Sequence, residues 1–338
     1  MVTKVVFNSR NMIYGSGGTA RWSKEVLRQL QSNQQCEVRA IAPRYSFFGK
    51  GISAYLWEQF LLPIKLRKGE ILFSPSNLGS IFCKNQALVI HDLLPLQSKQ
   101  DFSRIYGVAL RTIYRILIGR VNFLFTVSEQ VRNQIVQAYP EANGKILVVG
   151  GGITPTPVAL DMQFSKDANF CLVVGAHIRR KNLKFLLQIW DEVFRVTGCK
   201  LVATSRFSQD RTLATKGYSG SQNLIWFSNV LDPTDDELAG YYLNAKFTLQ
   251  PSIGEGFGLP LLESMNLGTP FVSNEVGISR DICVGASRVF PLNSRTWISY
   301  LTSALISPKN LNEIEIQRLE ARKHTWEQVA RRIIDALE

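Results

Sequence analysis

The sequence predicts an α/β protein made of two Rossmann-like, doubly wound domains. Three observations carry this. Short apolar runs rich in β-branched residues alternate with amphipathic stretches of helical period along all 338 residues. That is the pattern of parallel sheets covered by helices. The length suits two domains better than one. Finally, Gly150-Gly151-Gly152-Ile153-Thr154-Pro155-Thr156-Pro157 is dense in residues that break regular structure and reads as a linker between halves of similar size.

The elements follow in order. Residues 4–7, 87–90 and 123–127 read as buried strands of the first half. Residues 171–174, 200–203, 223–227, 246–250 and 270–273 read as strands of the second. Residues 19–31, 183–195 and 235–243 have the period of helices. Ligands of open α/β sheets bind beyond the carboxyl ends of the strands. Two such domains facing each other would form a cleft there, so the residues just after each strand are the candidates for chemistry.

Composition narrows the function classes. Hydrophobic residues make up 45% and charged residues 20% of the chain, which supports packed cores and excludes a disordered chain. No apolar run reaches the length of a membrane span. Lys4-Val5-Val6-Phe7 reads as a strand and not as part of a signal peptide, so the expected location is the cytoplasm. The five cysteines, at 36, 83, 171, 199 and 283, are odd in number and widely spaced. They read as buried small hydrophobes, with no disulfide frame or zinc site implied. Residues 1–150 hold 19 Lys+Arg against 8 Asp+Glu, so +11 of the net charge of +12 lies in the first half. Its expected partner is anionic: nucleic acid, an acidic membrane or a phosphorylated substrate.

The sharpest motif is Pro251-Ser252-Ile253-Gly254-Glu255-Gly256-Phe257-Gly258-Leu259-Pro260-Leu261-Leu262-Glu263. Pro260 suits the first turn of a helix. The glycines let the backbone turn tightly and approach a ligand, and the amides near Gly258 and Leu259 suit a diphosphate. Glu255 and Glu263 flank this helix start, and each is suited to accept from hydroxyls on either side of a phosphate. Arg180 and Lys181 precede a helix at Asn182. Cations there oppose the helix dipole unless an anion lies between. In the first half, Gly15-Ser16-Gly17-Gly18-Thr19 reads as a strand-to-helix turn with Thr19 as cap, His91 ends a strand beside Asp92, and Ser128 suits a helix N-cap. Basic and apolar residues mix over 45–68, with Phe47, Phe48, Trp57, Phe60, Leu61 and Leu62 before Lys65, Arg67 and Lys68. They mix again in a helix over 104–120, where Arg104, Arg111 and Arg115 share one face within about 40°. Either could lie on an anionic membrane, and either could equally be an ordinary helix packed on its sheet.

Residues 251–269 resemble the E-x7-E signature of family 4 retaining glycosyltransferases of the GT-B fold. Val174-Gly175 with Arg179-Arg180-Lys181-Asn182-Leu183 is similar to the same family's donor-phosphate segment. So are Asp236-Glu237-Leu238 to Asn244-Ala245, Val89-Ile90-His91-Asp92-Leu93, Thr126-Val127-Ser128-Glu129 and the closing Thr325-Trp326-Glu327-Gln328-Val329-Ala330 to their counterparts. Ala176 departs from the polar or basic residue many relatives carry there.

The resemblance implies two Rossmann-like domains facing across a cleft. Residues 1–152 would be the acceptor side and 158–324 the nucleotide-sugar side, with a helix at about 325–338 packing back on the first. It implies that His91, Arg180, Lys181 and Glu255 are catalytic. Gly17, Gly18, Glu255, Gly256, Phe257, Gly258, Leu259 and Glu263 would bind the donor, and Asp92 and Ser128 would face the acceptor. The implied reaction retains anomeric configuration, with a hexose moving from a nucleotide sugar to a hydroxyl of a glycan or lipid-linked saccharide. It implies no metal and no cofactor besides the donor, no nucleic-acid partner, and a place in surface polysaccharide synthesis at the inner face of the membrane. GDP-mannose is favoured over UDP- and dTDP-sugars by residues 91–96 and 251–260. Loss of transfer with retained folding is expected of Glu255→Ala and Lys181→Ala. A dehydrogenase would want GxGxxG, which Gly15–Thr19 does not supply. A nucleic-acid-binding protein explains the charge but not the glutamates. A GT-B-like epimerase or phosphorylase is the nearest enzymatic alternative.

Overall fold

A computed structural model describes residues 2–15, 17–44, 51–97, 104–153, 168–205, 225–308 and 310–338. Ser16, Tyr45, Phe47, Phe48, the linker residues 154–157 and the start of the strand expected at 223 lie outside the described residues, and of Arg104 only the backbone is described. The chain divides into two compact units, Met1–Gly152 with Thr325–Glu338, and Ile153–His324.

Unit 1 is built on β1 (Thr3–Asn8), β2 (Cys36–Ile41), β3 (Ile71–Ser74), β4 (Gln86–Ile90), β5 (Phe123–Thr126) and β6 (Ile146–Val148). All six are parallel, in the order β2-β1-β3-β4-β5-β6. The order reverses between β1 and β3, which opens a crevice at their carboxyl ends. Val5, Val6 and Phe7 of β1, Ile71, Leu72 and Phe73 of β3, and Ala87, Leu88, Val89 and Ile90 of β4 form continuous apolar runs because both faces are covered there. Helices α1 (Arg10–Tyr14), α2 (Gly18–Ser32), α3 (Gly51–Leu56), α4 (Leu62–Ile64), α5 (Leu94–Gln97), α6 (Arg104–Arg120) and α7 (Glu129–Ala138) connect them, and a π turn at Trp57–Leu61 joins α3 to α4. Leu110, Tyr114, Leu117 and Ile118 of α6 meet Val131 and Ile135 of α7 over Leu88, Ile90 and Leu124.

Unit 2 holds β7 (Phe170–Val174), β8 (Lys200–Ser205), β9 (Phe227–Leu231), β10 (Thr248–Gln250), β11 (Phe271–Ser273) and β12 (Arg288–Val289). They are parallel in the order β12-β11-β10-β7-β8-β9. Counted from β7 this is the 3-2-1-4-5-6 arrangement of a dinucleotide-binding sheet, with its switch point between β7 and β10. Alternation along β7 sends Cys171 and Val173 to one face, under α8 (Leu183–Thr197). Phe170 and Leu172 go to the other, under α9 (Asp235–Asn244). Beyond these come α10 (Leu259–Asn266), α11 (Ser294–Ile306) and α12 (Leu311–Arg322). The last helix, α13 (Trp326–Leu337), belongs to unit 1 and packs on α2.

Several local expectations are corrected. The short α1 intervenes between β1 and the Gly15–Thr19 loop. Thr19 does not cap α2; Gly17 holds the cap position at φ 85°, and Thr19 lies inside the helix. The strand expected at 223–227 starts at Phe227, where an alternating edge pattern begins. Cys83 and Cys283 are half-buried, whereas Cys36, Cys171 and Cys199 are buried. Of the basic helix α6, Leu110, Tyr114, Leu117 and Ile118 face the core, while Val108 and Ile116 stay exposed.

Candidate functional site

The two loops that leave the switch point of unit 2 are bound to each other by their backbones. After β7, Gly175 takes φ 74°, and Arg179–Lys181 form a single 3-10 turn. Asn182 stands at the N-cap of α8 in the left-handed region, φ 53°. Its amide does not cap α8; it donates to Pro251 O at 3.2 Å, across to the loop that follows β10. The Ile253 N–H donates in turn to Arg180 O at 2.8 Å. These ties bring residues about 70 positions apart into one cluster.

At its centre is Glu255. Lys181 Nζ lies 2.7 Å from Oε1, and Arg180 Nη1 lies 2.6 Å from Oε2. Ser252 Oγ donates to Oε1 at 2.7 Å, and the same Arg180 nitrogen donates to Gly254 O at 3.1 Å. The carboxylate and the ammonium are nearly closed off from solvent, whereas a third of the Arg180 side chain stays exposed. Burial alone would raise the Glu255 pKa, but the charges of Lys181 and Arg180 and the hydrogen bonds from Lys181 and Ser252 outweigh it and hold it at about 2. Two cations and one carboxylate leave the cluster with a net positive charge, carried outward by Arg180.

Beside it, α10 begins. Gly258 caps the helix at φ 110°, a conformation open to glycine and costly for other residues. N–H groups at a helix start carry partial positive charge. Here Pro260 has none and the Leu261 N–H donates to Gly258 O at 2.9 Å, so the groups at the mouth of the helix are those of Gly258 and Leu259. The turn is held from behind by Gly277, φ 58°, after β11: a Cβ there would sit 2.1 Å from Phe257 O, the carbonyl that accepts from Ile278 N–H at 2.9 Å. Phe257 is turned inward, edge to face with His324 at 6.4 Å. Leu259 is buried, and Pro260 is the second residue of the helix. Glu263 is the fifth residue of α10 and opens its second turn. Its Oε2 accepts from Tyr242 Oη at 3.0 Å.

The unit 1 candidates lie at the carboxyl ends of its own strands. Gly17 and Gly18 start α2. His91 follows β4; its N–H donates to Asn77 Oδ1 at 2.6 Å and its Nε2 lies 2.7 Å from Pro75 O. A carbonyl partner requires the proton on Nε2 and leaves Nδ1 as an acceptor. The ring is buried and stands edge-on to Trp22 at 5.0 Å. Burial pushes its pKa down to about 4 against the pull of the Pro75 carbonyl, so the imidazole is neutral at pH 7. Asp92 Oδ1 accepts from Leu94 N–H at 3.2 Å, and Ser128 caps α7 by accepting from Val131 N–H at 3.3 Å. Both thus have local backbone roles.

Sequence reasoning missed Asn182 and Ser252 as organisers, Tyr242 as the partner of Glu263, and Gly277. It also missed Gln250, at the carboxyl end of β10. That amide is 3% exposed, and neither its nitrogen nor its oxygen has a partner among the described residues. Its nitrogen lies 3.6 Å from where a Gly258 Cβ would stand. A glutamine ending a buried strand, just before Pro251, was the available signal.

Residues 168–296 match the family model described as glycosyl transferases group 1. That segment holds Arg180, Lys181, Glu255 and Glu263. The chain is 26% identical over 223 residues to the O-antigen chain mannosyltransferase RfbU of Salmonella typhimurium, covering 64% of this chain and 60% of that one. It is 27% identical over 234 residues to O-antigen chain mannosyltransferase B of Escherichia coli, covering 65% and 61%. The matches thus span about three fifths of these relatives' length. Among solved structures, sucrose-phosphate synthase from Thermosynechococcus elongatus superposes with a TM-score of 0.74 at 14% identity, covering 98% of this chain and 97% of that one. WaaG, a glycosyltransferase involved in lipopolysaccharide biosynthesis, superposes with a TM-score of 0.68 at 15% identity, covering 99% of each chain. The chain has the GT-B fold.

Proposed function

We propose that the protein is a retaining glycosyltransferase that moves a hexose from a nucleotide sugar to a hydroxyl of a saccharide or lipid-linked saccharide. The observation that carries this is the Arg180–Lys181–Glu255 cluster at the switch point of unit 2, net positive and beside the start of α10. An oriented cation next to the Gly258 and Leu259 N–H groups at a helix start suits a departing diphosphate. The donor belongs to unit 2 on this reading, and the acceptor to unit 1.

Each residue then has a task. Arg180, the exposed member, and the first N–H groups of α10 stabilise charge on the β-phosphate as the glycosidic C–O bond breaks. Lys181 holds Glu255 ionised and in place. A carboxylate has about four lone-pair positions, of which Lys181, Ser252 and Arg180 occupy three, so one on Oε2 remains for a hexose hydroxyl. A carboxylate engaged this way is a poor nucleophile, which favours attack by the acceptor oxygen on the face the diphosphate leaves. The leaving phosphate oxygen takes the acceptor's proton. Glu263, set by Tyr242, is assigned to the ribose hydroxyls. In unit 1, neutral His91 offers Nδ1 as an acceptor to a sugar hydroxyl. The mannosyltransferase relatives support GDP-mannose as donor and a surface polysaccharide as product.

The test is product analysis with the purified chain and a panel of GDP-, UDP- and dTDP-sugars, with saccharide and lipid-linked acceptors. A new glycosidic linkage of retained configuration is expected with GDP-mannose. Arg180→Gln is expected to lower kcat by about 10²–10³ with the fold intact. An epimerised nucleotide sugar or a sugar phosphate as product, or binding of none of the donors, would overturn the reading.

A further inference from the structure

The helical stretch from α3 through the π turn to α4 has two unlike sides. Ala54, Trp57, Glu58 and Leu62 point into unit 1, whereas Leu56, Phe60, Leu61 and Ile64 face solvent, Ile64 at 79% exposure. A second segment is clamped alongside. Gln59 Nε2 donates to Gly79 O at 2.9 Å, Ile81 N–H donates to Gln59 Oε1 at 2.8 Å, and Ser80 Oγ donates to Gln59 O at 3.1 Å. This sets Phe82, 57% exposed, against Phe60 with ring centroids 5.2 Å apart. Large apolar side chains gathered on a surface in this way mark an interaction site.

The charges on the same two segments are sorted. Lys65, Arg67, Lys68 and Lys84 are exposed. The acids of residues 51–70 and 79–85 are Glu58 and Glu70, and both are withdrawn. Glu58 is 1% exposed and accepts from Asn8 at 2.8 Å and Arg10 at 2.9 Å. Glu70 accepts from Arg39 at 2.7 Å and from the Arg67 N–H at 2.7 Å. Among the described residues of these segments, the charged side chains turned outward are all cationic. A fluid surface needs no groove shaped for a partner's side chains.

We propose that this face of unit 1 docks on an anionic lipid bilayer. Leu56, Phe60, Ile64 and Phe82 enter the boundary between headgroups and acyl chains, and Lys65, Arg67, Lys68 and Lys84 lie on the lipid phosphates. The other basic stretch, α6, is not part of it. Leu110, Tyr114, Leu117 and Ile118 are spent on the core. Val108 and Ile116 are exposed singly, with no ring or clamp beside them among the described residues as Phe60 has, and Arg115 stands 3.8 Å from Glu141. The proposal rests on the surface of unit 1 alone and is independent of the reaction assigned to the protein. No helix among the described residues is long and apolar enough to cross a membrane, so the association is peripheral.

Flotation of the full chain with phosphatidylcholine vesicles, with and without phosphatidylglycerol, tests it. Binding is expected to the anionic vesicles only, weakening as salt rises. Lys65→Gln with Lys68→Gln is expected to weaken partitioning by about 25-fold, at about fivefold per cation near the surface. Phe60→Ser with Phe82→Ser is expected to abolish it, with an unchanged melting temperature confirming the fold. Arg111→Gln with Arg115→Gln is expected to bind as the parent does. Failure to float with anionic vesicles at low salt, or flotation unaffected by the Lys65 and Phe60 variants, overturns the proposal. So does self-association in sedimentation velocity that the Phe60 variant abolishes while vesicles are ignored. Thermal stabilisation by nucleotide sugars reads the donor site separately, so the two proposals fail independently.

Discussion

At the scale of single residues, Glu255 and Lys181 cannot be understood apart. Truncating Glu255 leaves the buried Lys181 ammonium without its carboxylate, and truncating Lys181 leaves the buried Glu255 to the partly exposed Arg180 alone. Breaking a buried pair costs up to about 3–5 kcal/mol. The simple expectation that Lys181→Ala leaves a folded, inactive protein therefore has to change. Lys181→Met alone is expected to lose about that much stability in urea unfolding, and Lys181→Met with Glu255→Leu to recover most of it. Glu255 and His91 also set the acid response. Both have folded pKa values below their unfolded ones, so the stability each contributes is present above the unfolded value and lost as pH falls towards the folded one. For His91 the window runs from 6.5 to about 4, and for Glu255 from 4.5 to about 2. Each corresponds to about 3 kcal/mol. The urea midpoint is expected to fall in two stages on acidification, with His91→Asn flattening the upper stage and the Lys181–Glu255 double variant the lower. The sequence showed the residue types at this site but not that the cations answer Glu255. That pairing needs β7 and β10 to be neighbours, which no local pattern encodes.

At the scale of elements, the start of α10 depends on a residue outside it. Gly277 combines φ 58° with a Phe257 carbonyl where its Cβ would go. Gly277→Ala is expected to displace the Gly256–Gly258 turn, lowering the melting temperature of unit 2 and weakening nucleoside diphosphate binding together. Calorimetry and titration of one preparation check both. Gly277 escaped sequence reading because its partner is backbone and so leaves no side-chain pattern. The strands that were legible, such as β4 and β7, are apolar runs covered on both faces, and β10 is buried throughout. Those that were not had weaker signals for physical reasons. β2 is an edge strand with exposed Glu37, and β12 is only two residues long. β6, also at an edge, is three residues long, and β3 is a bare four-residue apolar run. The helices were clearer, because α8 and α2 keep one apolar stripe over 15 residues each.

At the scale of the molecule, each unit carries its own core, and a donor bound by unit 2 stabilises unit 2. A nucleoside diphosphate at about 100 times its Kd is expected to add about 2.7 kcal/mol. Scanning calorimetry should then show the transition of unit 2 moving up by roughly 5–10 °C, with that of unit 1 unmoved. Deleting residues 325–338 is expected to act the other way. It uncovers the face of α2 on which Trp326, Val329, Ile333 and Leu337 are buried. Unit 1 should lose its cooperative transition while unit 2 keeps its own. The charge asymmetry was legible from composition, but its placement was not, since only the fold shows which acids are turned inward.

The return of α13 to unit 1 also bears on how the chain is made. Residues 153–324 are contiguous and can complete their fold as soon as they clear the ribosome. Residues 1–152 emerge first, yet the surface of α2 stays open until 325–338 follow. The half synthesised first is thus the half finished last, and its apolar face is exposed to chaperones for the whole time the other half is being translated.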